Sequence, residues 1–183
     1  MFRWIAILLL VCSTAQAAPG GPAEDDMAAF MADKGLLKRL DDVRHTVTDR
    51  ASDLVVTAMG FLGVPYRRGG NSVETGFDCS GFVRAMYEQT VGLVLPRRAN
   101  EQAAATQTID RQDLQPGDLV FFNTMKRAFS HVGIYVGNGK FIHSPKPGAE
   151  VRVEDMGVSY WARRFDGARR VATGPADAPP PQR

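Results

Sequence analysis

Gly76-Phe77-Asp78-Cys79-Ser80-Gly81-Phe82-Val83 is the stretch around which we expect the chain to fold. It leads into a segment running to Gln89 whose pattern predicts a helix with one broad apolar side. Asp78 is a good helix N-cap residue, which places Cys79 in the first helical turn. Unpaired N–H groups and the positive dipole end stabilise a thiolate there, so we expect the thiol pKa to fall from about 8.5 toward neutrality. The same N–H groups can donate to an oxyanion, and Cys79 is therefore a candidate nucleophile.

A nucleophilic cysteine needs a base, and the base needs a group that orients it. Gly137-Asn138-Gly139-Lys140 predicts a tight turn between two strands, His131–Val136 and Phe141–Ser144. His131 and His143 then lie about equally far from the turn. We expect them to be neighbours on one sheet face, with Cβ atoms about 5 Å apart. His131 is thus the candidate base and His143 its orienting partner.

Other interpretations of these residues stay open. A lone cysteine commonly behaves as a small buried hydrophobe, and a histidine at a strand end is commonly no more than a polar residue there. Zinc binding by Cys79, His131 and His143 is a third interpretation, but the chain shows neither Cys-x-x-Cys nor His-x-x-x-His spacing and no evident fourth ligand. We expect no metal and no organic cofactor.

Residues 1–17 have the pattern of a secretory signal peptide. Arg3 is followed by an apolar run to Val11, too short for a permanent membrane span, and by a small-residue cleavage site ending at Ala17. Val11 stands where lipid attachment to Cys12 would require a small residue, so we do not expect a lipoprotein. The mature protein is expected to be periplasmic or secreted. Losing Cys12 leaves Cys79 without an intramolecular partner, which suggests a reactive thiol.

The whole chain suits one domain with a real core, since it has 183 residues of which 44% are hydrophobic. We expect a flexible lead with a helix at 18–48, a catalytic domain at 49–172 and a disordered Pro-rich tail at 173–183. Helices are predicted at 27–47, with an exposed or capping His45 near its end, and at 54–62. The formal net charge is +2, without long runs of one sign, so we expect no nucleic-acid partner.

Short apolar strands follow the helices. Leu119–Phe122 predicts a buried strand, the hairpin supplies two more, and Val151–Val153 and 160–171 supply the others. Helices first and strands afterwards indicate an α+β fold. In this fold the cysteine helix packs against a mostly antiparallel sheet of five or six strands.

Taken together, the motifs resemble those of the NlpC-type cell-wall peptidases, papain-like cysteine hydrolases of bacterial peptidoglycan. The resemblance covers about residues 52–171 and rests on segments in this order: 65–70, 77–83, 95–97, 116–122, 130–137 and 141–143. It implies a papain-like fold and a D,L-endopeptidase that acts through a Cys79 thioester. The bond cut would join γ-D-glutamate to meso-diaminopimelate or L-lysine in the peptidoglycan stem peptide.

The resemblance also implies a role for each candidate site residue. The family nucleophile, base and third polar residue fall on Cys79, His131 and His143. The tyrosine thought to bind the oxyanion falls on Tyr66. The aspartate that in some members meets a free stem-peptide amine falls on Asp78, although capping the helix is already a sufficient role for it. Ser80 is expected to start the helix and shape the groove.

Two functional alternatives stay open beside the endopeptidase. One is a non-catalytic wall-binding or scaffolding member of the fold, and the other is an acyltransferase or amidase with the same nucleophile. Because the sequence shows no separate wall-binding module, we expect an enzyme that works within the periplasm on the stem peptides of the sacculus, with a periplasmic regulator as a further hypothesis. We also expect a monomer. No integral membrane span is expected.

Overall fold

The computed structural model describes residues 36–172. The chain divides into two units, residues 1–41 and 42–183, and the first is described only at 36–41, where it is helical. The predicted signal peptide, Cys12 and the Pro-rich tail lie outside the described residues. So does the part of the predicted lead before residue 36.

Four helices are described: α1 Leu36–Met59, α2 Cys79–Val91, α3 Ala99–Ala104 and α4 Ser159–Ala162. The prediction of two helices within the α1 region is wrong. Residues 48–53 contain cap-forming side chains but no glycine or proline, so the helix continues through them and through the predicted boundary at residue 48. It ends at Met59, earlier than predicted, and turns follow as far as Gly63. None of the described helices is long and apolar enough to cross a membrane.

The main sheet has six antiparallel strands in the order β3-β8-β4-β5-β6-β7. Their bounds are β3 Gln107–Ile109, β4 Leu119–Phe122, β5 His131–Gly137, β6 Lys140–His143, β7 Arg152–Asp155 and β8 Phe165–Arg170. A separate two-stranded sheet, β1 Asn71–Ser72 with β2 Gly76–Phe77, precedes α2. The predicted α+β class with a mostly antiparallel sheet is confirmed. Strand β3 was not predicted, and the segment 160–171 divides between α4 and β8.

Strand β4 is buried on both faces, which explains its unbroken apolar sequence. On one face, Leu119 and Phe121 join a core cluster with the buried side of α2. On the other face, Val120 and Phe122 pack with Phe141, Met156 and Trp161. Each fully buried side chain of this size contributes about 1.5–3 kcal/mol. Two cores thus fix β4, and with it the neighbouring β5 that begins at His131.

Candidate active site

The start of α2 is built as the sequence predicts. Asp78 has extended backbone, and its Oδ1 accepts a hydrogen bond from the N–H of Gly81 at 2.7 Å, so it caps the helix that begins with Cys79. A Cβ at Gly81 would lie 2.1 Å from the carbonyl oxygen of Gly70. Only glycine therefore allows the preceding loop to cross the helix start this closely. The N–H of Gly69 in that loop donates to Oδ2 of Asp78 at 3.0 Å.

Arg97 holds the same carboxylate from the other side. Its NH1 and NH2 donate to Oδ1 and Oδ2 of Asp78 at 2.9 and 2.6 Å, and NH1 also donates to Oγ of Ser80 at 3.0 Å. Both oxygens of Asp78 therefore already accept from backbone N–H groups and from a guanidinium. A substrate amine would have to displace Arg97 to reach Asp78. The sequence motif contains Arg97, but we assigned it no role from sequence.

A cavity of about 820 Å³ opens at the start of α2. Five of the six predicted site residues line it: Tyr66, Asp78, Cys79, Ser80 and His131. Its other walls are mixed, with apolar and charged side chains that include Arg68, Met125, Lys146, Val158 and Tyr160. Cys79 is a free cysteine. Within residues 36–172, no group of His, Cys, Asp and Glu side chains is arranged to hold a metal ion.

The sixth residue, His143, is fully buried behind His131. Nε2 of His131 and Nδ1 of His143 are 2.7 Å apart, a hydrogen bond between the two rings. They are neighbours across the β5–β6 hairpin, but diagonally and not directly opposite. Strand pairing joins Ile134 with Ile142, which centres this part of the hairpin on residue 138, one residue beyond the midpoint between the two histidines.

Gly133 makes this diagonal arrangement sterically feasible. A Cβ at this position would lie 2.7 Å from the Phe141 ring, 2.9 Å from the Ile142 carbonyl oxygen and 3.1 Å from Cβ of His143. Because Gly133 has no side chain, the part of β6 that carries His143 can pack this closely against β5.

Two residues that we did not predict complete the surroundings of the histidines. Trp161, on α4, stacks on His131 with ring centroids 5.6 Å apart and meets His143 edge-on at 5.1 Å. Its indole N–H donates to Oε2 of Glu154, and Arg152 donates to Oε1 of the same carboxylate. Oε2 of Glu154 lies 3.7 Å from Nε2 of His143. The only sequence signal for Glu154 was its place directly after the predicted strand Val151–Val153.

Burial determines the protonation of Cys79 and His131. It raises the pKa of the Cys79 thiol to about 11, and the Asp78 charge acts in the same direction. Hydrogen bonds from backbone N–H groups, including that of Val132 beside His131, oppose this rise without cancelling it. Burial, followed by the neighbouring His143, also holds the pKa of His131 well below its ordinary value. The resting pair is therefore a neutral thiol and a neutral imidazole.

The prediction of a lowered Cys79 pKa is thus wrong. The sequence reveals the helix start, whose dipole favours the thiolate, but it does not reveal how much water the assembled fold excludes from the sulfur. Although Cys79 retains some exposed surface, the surrounding protein desolvates its thiol. Activation of the sulfur consequently requires a base at the moment of attack.

Tyr66 and Ser80 have different surroundings. Burial first, and then the Cys79 and Asp78 charges, raise the pKa of the Tyr66 hydroxyl, so it stays protonated and can donate to an oxyanion in the cavity. Ser80 is buried, with Oγ accepting from Arg97 and its carbonyl accepting from the side-chain amide of Gln102 at 3.0 Å. These contacts give Ser80 a structural place in the wall of the groove.

A model of the NlpC/P60 family matches residues 63–170, a range that includes all six predicted site residues. The chain belongs to the NlpC/P60 family. The resemblance to NlpC-type cell-wall peptidases seen in the sequence is thereby confirmed.

Individual NlpC/P60 proteins are similar over much of this chain. Murein DD-endopeptidase MepH of Escherichia coli K12 is 50% identical over 138 residues, which are 73% of this chain and 51% of MepH. Gamma-DL-glutamyl hydrolase of Bacillus subtilis 168 is 40% identical over 118 residues, 64% of this chain and 28% of that protein. The chain thus spans about half of the first relative and less of the second. The crystal structure of an NlpC/P60 family protein from Bacillus cereus superimposes with a TM-score of 0.61 and 38% identity, covering 66% of this chain and 39% of that one.

Proposed function

We propose that this NlpC/P60 protein is a cysteine endopeptidase that hydrolyses peptide bonds of bacterial peptidoglycan. The observation that carries the proposal is the shared cavity of Cys79 and His131, with His131 hydrogen-bonded to the buried His143 at 2.7 Å. This is the nucleophile, base and orienter set that acyl transfer through sulfur requires. The similarity to murein DD-endopeptidase MepH supports peptidoglycan as the substrate.

The mechanism follows from the neutral resting pair. His131 accepts the thiol proton as the sulfur of Cys79 attacks the scissile carbonyl. The hydroxyl of Tyr66 and the backbone N–H of Cys79 donate to the tetrahedral oxyanion. The protonated His131 then gives its proton to the leaving amine, and a thioester remains on Cys79. Water, deprotonated by His131, hydrolyses the thioester and frees the enzyme.

The surroundings of Asp78 favour a cut inside a peptide over removal of an end that carries a free amine. Both carboxylate oxygens of Asp78 are engaged by Arg97 and by backbone N–H groups, so the carboxylate offers no vacant acceptor for a substrate amine. The open cavity of about 820 Å³ has room for peptide on both sides of the scissile bond.

The first candidate for the scissile bond is the D,D bond of peptide crosslinks. The relative with 50% identity is a DD-endopeptidase, and the similarity includes most of this chain. The second candidate is the γ-D-glutamyl–diaminopimelate bond implied by the sequence resemblance. The relative with 40% identity, a gamma-DL-glutamyl hydrolase, favours this second bond.

We also propose that the enzyme acts outside the cytoplasm, in the periplasm or after secretion. The signal-peptide pattern of residues 1–17 supports this location. Peptidoglycan would be directly accessible there.

Digestion of purified diaminopimelate-type sacculi tests the function. We expect the protein to convert crosslinked muropeptide dimers to monomers if it cuts the D,D bond. It would instead release new D-glutamyl carboxyl ends and free diaminopimelate α-amines if it cuts the D,L bond. Cys79→Ala should abolish either change. An unchanged muropeptide profile with the intact protein under reducing conditions would reject the hydrolase and favour the wall-binding alternative.

A further inference from the structure

We propose that Glu154 is a positioning residue of this site: its carboxylate keeps the His143 proton on Nε2 and thereby leaves Nδ1 of His131 free to take the thiol proton. The proposal rests on the proposed function in one respect, since it assumes that His131 acts as the base for Cys79. Nothing in the sequence motifs or the comparisons assigns a role to Glu154.

The strand register brings Glu154 to the histidines. Strand β7 pairs with β6 so that Arg152 lies opposite His143 and Glu154 lies opposite Phe141. Glu154 is therefore a diagonal neighbour of His143 on the same face of the sheet. Its Oε2 is 3.7 Å from Nε2 of His143. Among the described residues, this buried Nε2 has no partner at hydrogen-bond distance, so the carboxylate dominates its electrostatic surroundings.

The negative charge selects one tautomer of His143. At 3.7 Å, an N–H on Nε2 is attracted to the carboxylate, whereas a lone pair on Nε2 would face a negative charge without water to screen it. A neutral His143 with its proton on Nε2 has an unprotonated Nδ1 that can only accept. Nδ1 lies 2.7 Å from Nε2 of His131, so His131 must donate there. The remaining nitrogen of His131, Nδ1, is then the acceptor that a general base needs.

Two contacts hold the Glu154 carboxylate in place. The indole N–H of Trp161 donates to Oε2, the oxygen nearest His143, and Arg152 donates to Oε1. These groups on α4 and β7, with His143 on β6 and His131 on β5, are polar and charged groups that interact with the carboxylate. The interaction with His143 leads the effects that lower the pKa of Glu154 to about 2, so the side chain stays ionised in neutral solution.

The same charge supports the base when it is protonated. Burial depresses the pKa of both His131 and His143, and Glu154 acts in the opposite direction on both. Arg152 adds to the depression at His143. Glu154 therefore counteracts the burial that would otherwise prevent His131 from accepting the thiol proton.

Glu154→Gln removes the charge while keeping the size of the side chain. We expect kcat/KM for muropeptide hydrolysis to fall by about 10- to 100-fold. This is less than the roughly 10⁴-fold loss that follows when a carboxylate in direct contact with a catalytic histidine becomes an amide, because Glu154 acts through a second ring. Glu154→Asp keeps the charge and should recover part of the rate. Glu88→Gln, the same change at an exposed position on α2, is the matched control and should leave the rate unchanged.

Two readouts separate positioning from a merely structural role. The first is the rate of Cys79 alkylation by iodoacetamide as a function of pH, followed by peptide mass mapping. Glu154→Gln should slow alkylation about 10-fold or more near pH 7. The difference from the unsubstituted protein should narrow toward pH 10, where hydroxide removes the thiol proton without His131. A distorted or partly unfolded site would not show this convergence with pH.

The second readout is the ¹⁵N NMR spectrum of the imidazole nitrogens, which reports the tautomers directly. We expect the unsubstituted protein to carry protons on Nε2 of both His131 and His143, and Glu154→Gln to show mixed tautomers. A wild-type tautomer pattern and pH profile in Glu154→Gln would overturn the proposal. A different outcome is also possible: the substitution changes the alkylation rate and the tautomers, but the unsubstituted protein does not digest sacculi. That result would reject peptidoglycan hydrolysis and retain the positioning role of Glu154.

Discussion

Gly133→Ala offers a direct test of how the histidine pair is assembled. The added methyl group would meet the Phe141 ring at 2.7 Å, the Ile142 carbonyl oxygen at 2.9 Å and Cβ of His143 at 3.1 Å. Phe141 and Ile142 are completely buried, and one of the clashing atoms belongs to the backbone, so relief requires strands β5 and β6 to separate locally. Overpacking of this kind costs about 1–3 kcal/mol. We expect a loss of about 2 kcal/mol in the free energy of unfolding.

Activity should fall by more than this loss of stability would suggest. The bond between His131 and His143 is 2.7 Å long, so a separation of about 1 Å takes the two nitrogens beyond hydrogen-bond distance. A misplacement of that size can cost about 100-fold in rate. We therefore expect kcat/KM for muropeptide hydrolysis to drop by about 100-fold under conditions where the variant is still fully folded.

Urea unfolding and muropeptide kinetics on the same preparation measure the two effects. Gly60→Ala is the matched control, because Gly60 is exposed just after α1 and does not have the left-handed backbone conformation. Its added Cβ would closely approach one atom, the carbonyl oxygen of Thr57 at 3.1 Å, and no buried side chain. Its unfolding free energy should change by no more than about 0.5 kcal/mol. Full activity in a destabilised Gly133→Ala protein would show that the His143 position does not set the rate. Unchanged stability would show that the strands accommodate the methyl group, contrary to the close contacts described above.

Two further predictions concern the charged groups. Arg97→Gln should destabilise the protein by about 1–3 kcal/mol, because it leaves the half-buried Asp78 carboxylate without its guanidinium partner. Arg98→Gln, at the exposed neighbouring position, is the control and should cost less than about 1 kcal/mol. Equal urea midpoints for the two variants would contradict this prediction. Stability should also fall as the pH drops below about 6.5, because burial lowers the folded-state pKa of His131 and His143 and the unfolded chain therefore binds protons first. Glu154, with a folded-state pKa of about 2, should extend this loss of stability below pH 4.5. Each proton bound more by the unfolded chain steepens the dependence of the unfolding free energy on pH by up to about 1.4 kcal/mol per pH unit. A urea midpoint that stays constant from pH 8 to pH 4 would refute the lowered pKa values of these groups.

The sequence predicted well those parts of the fold that depend on residues close together in the chain. Asp78 caps α2 through a contact three residues away, and the turn at Asn138–Gly139 fixes a hairpin whose two strands adjoin it in sequence. The helix prediction failed in α1 for a related reason. Cap-forming residues at 48–53 indicate a helix end only when a breaker accompanies them, and none is present there.

The surroundings of the site could not be predicted in the same way. Glu154 and Trp161 lie on β7 and α4, and no fixed spacing in the chain relates either of them to His131. Their proximity follows from the order of strands in the sheet and from the packing of α4 on it. The strand register that makes the histidine pairing diagonal is likewise a property of the assembled hairpin.

The raised pKa of Cys79 shows why local sequence is insufficient for the chemistry as well. A helix N-terminus stabilises a thiolate by a modest dipole interaction, whereas exclusion of water destabilises the charged form of every ionisable group that it surrounds. That exclusion raises the pKa of the thiol and lowers that of His131, so both effects favour the neutral pair over the ion pair. In the proposed mechanism, charge then develops only as the sulfur attacks, where the Tyr66 hydroxyl and the His143–Glu154 pair can stabilise it. Such stabilisation lowers the barrier because it is stronger in the transition state than in the resting enzyme.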